Sequence, residues 1–86
     1  MTIIYSPKFG REYKRLPEKI KLIAEQKEQI FRKNPFDPRL RTHKLSGHLE
    51  EFWSFSIDYN YRIIFEFANK HTIHFHAVGN HDVYKN

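Results

Sequence analysis

The sequence predicts an α+β domain in which an N-terminal helix hairpin packs on one face of a twisted antiparallel β-sheet. Two observations lead there. The apolar period changes from about 3.6 to 2 residues near His43, so helices come first and strands follow. The chain has 86 residues, enough for one small domain over residues 1–86, so helices and strands must bury their apolar faces against each other in a single core.

The elements follow in order. Ile3, Ile4 and Tyr5 read as a first strand. Ser6-Pro7 supplies an N-cap and a proline suited to the first helical position. In the helix that opens here, Phe9, Tyr13 and Leu16 recur on one face while Lys8, Arg11, Glu12, Lys14 and Arg15 take the rest. Pro17 interrupts it. A second helix starts with Glu18 in its first turn, carries Ile20, Ile23, Ala24, Ile30 and Phe31 on one stripe, and runs to about Asn34. The stretch Asn34-Pro35-Phe36-Asp37-Pro38 cannot continue it, because each proline removes a donor and biases its predecessor toward extended geometry.

From His43 onward apolar and polar residues alternate. Trp53, Phe55 and Ile57 alternate with Ser54, Ser56 and Asp58; Ile63, Phe65 and Phe67 with Arg62, Ile64 and Glu66; Ile73, Phe75 and Ala77 with His74 and His76. A turn at residues 59–61 pairs Ile57 with Ile63 and Phe55 with Phe65, and sets Asp58 beside Arg62. A turn through residues 68–72 sets Phe65 against Phe75, Glu66 opposite His74 and Ile64 opposite His76. A slip of one residue would turn an apolar set outward, which is why the pattern constrains register. The helices then cover one face, with Trp53 as part of the core. The other face collects Ser54, Ser56, Arg62, His74 and His76 as an open polar surface.

Composition narrows the function classes. Fifteen Lys and Arg against ten Asp and Glu give a formal charge of +5, with six further His, which points to an anionic partner without choosing among RNA, DNA and an acidic protein. The absence of cysteine excludes disulfides and thiolate metal sites and fits a reducing cytoplasm. Residues 1–5 are a short β-branched run, so neither a signal peptide nor a membrane span is expected.

Cutting RNA without a metal needs a base for the 2′-hydroxyl proton, a cation for the charged phosphorane and an acid for the leaving oxygen. His43, Arg62 and His81 all fall at strand ends and offer these groups. His43 and Arg62 also have plainer readings: His43 as a strand residue bonded to a nearby carbonyl, and Arg62 in an exposed cross-strand bridge to Asp58 worth ~0.2–1 kcal/mol. His74 and His76 with Glu66 imitate a two-histidine, one-carboxylate metal site, although solvated strand residues are the simpler account, and no metal or other cofactor is expected.

The order Pro35-Phe36-Asp37-Pro38, His43-Lys44-Leu45-Ser46-Gly47, Phe52-Trp53-Ser54, Tyr61-Arg62-Ile63-Ile64 and Val78-Gly79-Asn80-His81-Asp82-Val83-Tyr84 resembles the RelE/ParE toxins over nearly the whole chain, most of all the RelE-, YoeB- and YafQ-like ribonuclease branches. The resemblance implies a toxin of a type II toxin–antitoxin system: a cytoplasmic, cofactor-free endoribonuclease that cuts mRNA on the ribosome and is held silent by a cognate antitoxin. It places His43 as base, Arg62 on the scissile phosphate, His81 as acid, Tyr84 as an orienting or stacking aromatic, and Arg41 and Lys44 as phosphate contacts. Ser56 stands where some relatives have a further histidine, so the proton relay here is simpler. Related chains often have one more residue between the terminal histidine and aromatic. Lys8, Arg11, Lys14, Arg15, Lys19 and Lys21 form a solvated helix face or, on this reading, grip ribosomal RNA. The alternatives are a ParE-like, non-enzymatic inhibitor of DNA gyrase and a toxin that retains only antitoxin binding. Two titratable groups at the sheet's edge, His43 and His81, favour the nuclease.

Overall fold

The computed structural model describes residues 1–80 and Val83. Strand β1 (Thr2–Tyr5) leads into helices α1 (Pro7–Lys14) and α2 (Glu18–Lys33), followed by β2 (His43–Lys44), β3 (Trp53–Ser56), β4 (Arg62–Phe67) and β5 (Thr72–Gly79). Short 3-10 turns at Pro38–Leu40 and Gly47–Leu49 flank β2. The sheet runs β1-β5-β4-β3-β2. Strands β2 to β5 form the expected antiparallel meander, whereas β1 lies parallel to β5, so the sheet is mixed. A parallel pair needs a long crossover, and the helix hairpin with the rest of the sheet lies between these two strands. None of the described helices is long and apolar enough to cross a membrane.

The helix signals read from the sequence correspond to real contacts. Ser6 Oγ accepts the Phe9 N–H (2.9 Å) and donates to the His76 carbonyl (2.9 Å), so one hydroxyl caps α1 and fastens it to β5. Glu12 reinforces this by accepting the Val78 N–H at 3.0 Å. In α2 a proline precedes the first turn, Glu18 lies in that turn, and Arg32 and Lys33 lie in the last, matching the helix dipole.

The core centres on Phe31, which is wholly buried. Its ring stacks on Phe55 (4.8 Å between centroids) and meets Phe65 and Phe75 edge-on (4.9 and 5.5 Å). Trp53 packs against this core from its margin, half-buried, with edge contacts to Phe36 and Phe67.

Two registers differ from expectation. Phe55 pairs with Ile63 and Ser56 with Arg62, a shift of two residues from the expected Phe55–Phe65 pairing. The cause is Asp58, whose Oδ1 accepts the N–H groups of Asn60 and Tyr61 (both 2.9 Å). That side-chain turn starts one residue earlier than expected, and the Ile57 N–H to Tyr61 carbonyl bond closes it. A shift of two preserves facing, so the apolar residues stay inside.

Between β4 and β5 the pairs Phe65–Phe75 and Glu66–His74 form as expected, but a bulge then leaves His76 unpaired and sets Ile64 opposite Ala77. Ala77 therefore leaves the main core for the opposite face, and Val78 takes a place in the core instead. The second face is consequently not an open polar surface throughout. Ile64, Ala77 and Val83 are buried there with Leu45 and Phe52 packed against them, and Ser54 and Ser56 are buried as well.

The link from α2 to β2 is held by Asp37, which accepts the Arg39 N–H (2.9 Å) and both ends of the Arg39 guanidinium fork (3.0 and 2.9 Å). The Arg39 side chain first, and its N–H second, hold the Asp37 carboxyl at about 2 rather than 3.8. Since the folded-state value is lowered, the carboxylate's support of this turn is complete above the ordinary value and is lost as pH falls through about 2. An NMR titration of the Asp37 side chain is expected to show a midpoint near that value; one near 3.8 would mean that the Arg39 fork is not held in solution.

Candidate active site

Pairing places His43 opposite Ser54, and Ser54 opposite Ile64, in one row across the second face of the sheet. One pleat repeat along, Ser56, Arg62 and Gly79 form the next row. Directly paired residues point to the same side of a sheet, so His43 and Arg62 share this face. They lie two strands apart, about 10 Å across and about 7 Å along the strands.

His43 is exposed, and its Nδ1 lies 3.0 Å from the Arg41 carbonyl. A carbonyl only accepts, so Nδ1 carries the proton, and whenever the ring is neutral its lone pair is on Nε2. The plain strand contact expected of His43 thus also sets the tautomer that a base needs. Arg62 is half-buried, and its Nη1 donates to the carbonyls of Asp58 (2.7 Å) and Tyr61 (3.2 Å). The expected bridge to the Asp58 carboxylate is replaced by these backbone contacts, because the turn uses that carboxylate. Among the described residues the guanidinium is held by one nitrogen, and Nε and Nη2 can meet an anion as a fork.

Beside Arg62 opens a cleft of about 450 Å³, lined by Lys27, Arg39, Arg41, Ser56, Asp58 and Tyr59 among others. Four cations face one carboxylate, a balance suited to an anionic ligand. Arg41 enters the cleft from a left-handed backbone (φ 53°), a conformation glycine adopts more readily.

The structure does not bring every expected residue to this face. Lys44 pairs with Trp53, so the pleat turns it to the opposite side of the sheet from His43 and Arg62. His81 and Tyr84 lie outside the described residues; the chain reaches Gly79 beside Arg62 just before them. His74 pairs with Glu66 (3.3 Å), but the bulged His76 stacks on Phe52 instead, and no group of three candidate metal ligands exists among the described residues. On the helix face Lys8 bonds Glu12 in a half-buried pair and Lys21 bonds Glu18 in an exposed one, and both weaken its net positive field only locally.

Lys27 and Arg39 did not figure among the expected site residues. Lys27 did carry a signal: it falls on the α2 stripe with Ile20, Ala24 and Phe31, where an apolar residue belongs.

Neither a protein-family profile nor a curated protein matches the sequence. Solved structures do match in three dimensions. The YoeB/ParE toxin from Agrobacterium tumefaciens superposes with a TM-score of 0.79 at 14% identity, over 94% of this chain and 99% of that one. YafQ from E. coli strain BL21(DE3) gives 0.72 at 18% identity, over 98% and 97%. The fold is that of the YoeB and YafQ toxins. A further match with the YoeB/YafQ fold is the YoeB–YefM complex from Staphylococcus aureus, with a TM-score of 0.75 and 18% identity over 94% of this chain and 97% of that one. At these identities the YoeB/YafQ likeness concerns the path of the chain, so chemistry must be argued from the side chains on the second face.

Proposed function

We propose that the protein is the toxin of a type II toxin–antitoxin pair and a metal-independent endoribonuclease acting on mRNA at the ribosome. The observation that carries the reading is the shared face of His43 and Arg62, with the His43 tautomer set by the Arg41 carbonyl and the Arg62 fork half-engaged. In this mechanism His43 Nε2 takes the proton of a 2′-hydroxyl, the 2′-oxygen attacks the adjacent phosphorus, and Arg62 stabilises the charge on the phosphorane oxygens. His81 gives its proton to the departing 5′-oxygen, so the products are a 2′,3′-cyclic phosphate and a 5′-hydroxyl. Tyr84 orients or stacks on the substrate, and Arg41 contacts a phosphate. A face this small has little area with which to hold free RNA, so a ribosome that presents a splayed codon supplies the missing positioning. The partner that silences it is a cognate antitoxin, by analogy with the YoeB–YefM complex.

Primer extension on translated mRNA tests the reading. Cleavage within codons supports it; intact transcripts with blocked DNA supercoiling would instead favour a gyrase inhibitor, and unimpaired growth on full induction would favour a protein that only binds antitoxin. His81→Ala is expected to slow cleavage by about 10²–10⁴-fold, with His43→Ala similar or milder, while circular dichroism remains unchanged. Full activity in both variants would remove the acid–base pair.

A further inference from the structure

The cleft beside Arg62 extends past the end of β3 to helix α2, and its far wall carries a cation that the cleavage chemistry does not use. Lys27 stands on the core stripe of α2, half-buried, where an apolar side chain would pack. Among the described residues its ammonium makes one hydrogen bond, to the Arg39 carbonyl at 3.3 Å, out of the three it can donate. Arg41 reaches the same space from a backbone conformation that disfavours any residue with a Cβ, by about 1–2 kcal/mol. Three other charges line the cleft: Arg39 is held to Asp37 through both arms of its fork, Asp58 accepts two N–H groups of its turn, and Arg62 donates to two backbone carbonyls. Lys27 and Arg41, for neither of which a side-chain ion pair is found among the described residues, bring two positive charges to a cleft of about 450 Å³ whose lining holds four cations to one carboxylate, and the largely exposed Tyr59 ring stands beside them.

We infer that Lys27 and Arg41 form a second phosphate seat, which takes the backbone phosphate next to the one held by Arg62. The inference rests on the ribonuclease reading and deepens it. The substrate is then an internal stretch of single strand with at least two consecutive phosphodiesters, and the base between them can lie against Tyr59. Lys27 acts as a point charge that sets the register of the strand and carries no base information.

The test uses 2′-O-methyl oligonucleotides, which lack the attacking hydroxyl and cannot be cut. A dinucleotide with one phosphodiester and a trinucleotide with two are titrated into the full chain at low salt, followed by NMR. The wild type is expected to bind the trinucleotide roughly fivefold or more tighter than the dinucleotide, with a steeper salt dependence by about 0.7 in log K against log salt. Lys27→Gln is expected to abolish both differences while leaving dinucleotide binding intact, and Lys27→Arg to restore them. Arg41→Gly, which suits the left-handed backbone and so keeps the fold, is expected to behave like Lys27→Gln on the trinucleotide. A trinucleotide advantage that survives in both Lys27→Gln and Arg41→Gly overturns the second seat and leaves the ribonuclease reading standing. Absence of saturable binding of either oligonucleotide by the wild type, alongside intact transcripts in the primer-extension assay, overturns both.

Discussion

Arg62→Ala is expected to lower mRNA cleavage by about 10²–10³-fold, the usual loss when one preorganised donor is taken from a developing anion. The side chain is held by the Asp58 and Tyr61 carbonyls, and that tether is what preorganises it: the fork need not be ordered at the moment of reaction. Losing these contacts changes stability by only about 1 kcal/mol, since both carbonyls lie near a solvated turn. Arg62→Lys keeps the charge but cannot span two carbonyls and a phosphate, so its rate should fall between those of the wild type and Arg62→Ala. The measurement is cleavage by primer extension beside a thermal melt. Unimpaired cutting by a folded Arg62→Ala protein would end its phosphate role.

The largest effect on stability is expected at Phe31. Truncation to alanine opens a cavity where three aromatic neighbours meet, at a cost of about 3–5 kcal/mol. A domain's whole stability is about 5–15 kcal/mol. For a chain of this size the melting temperature should therefore drop by more than about 12 °C. Leu22→Ala on the same helix is the contrast: Leu22 is 63% exposed, and its loss should change stability by under about 0.5 kcal/mol. Equal melting temperatures for the two variants would show that the aromatic cluster is not what holds α2 to the sheet.

Much of this was legible before any coordinates. Ser6-Pro7 opened α1, Pro17 separated the helices, and period-two alternation marked β3, β4 and β5, because each of these signals acts within a few residues. Facing was legible where exact partners were not. Asp58 moved the β3–β4 register by two residues, and alternation is blind to a shift that leaves every residue on its own side. The bulge at His76 was hidden for another reason: His74, Phe75, His76, Ala77 and Val78 read as ordinary alternation with one small residue at the end, and only pairing with Ile64 reveals the break. At the site, His43 and Arg62 were recognisable by type and order. Lys44 entered through the family resemblance alone, which carries no information on facing; its pairing with Trp53 turns it to the other side of β2 from His43.

The parallel pairing of β1 with β5 carries a consequence for synthesis. During translation β1 leaves the ribosome early, and its partner emerges only after the helices and the other three strands have been made. Because β5 also anchors Ser6 and Glu12, the nascent chain has nowhere to dock its first helix until then. The sheet, and with it the packing of α1, is thus completed only after β5 has been made.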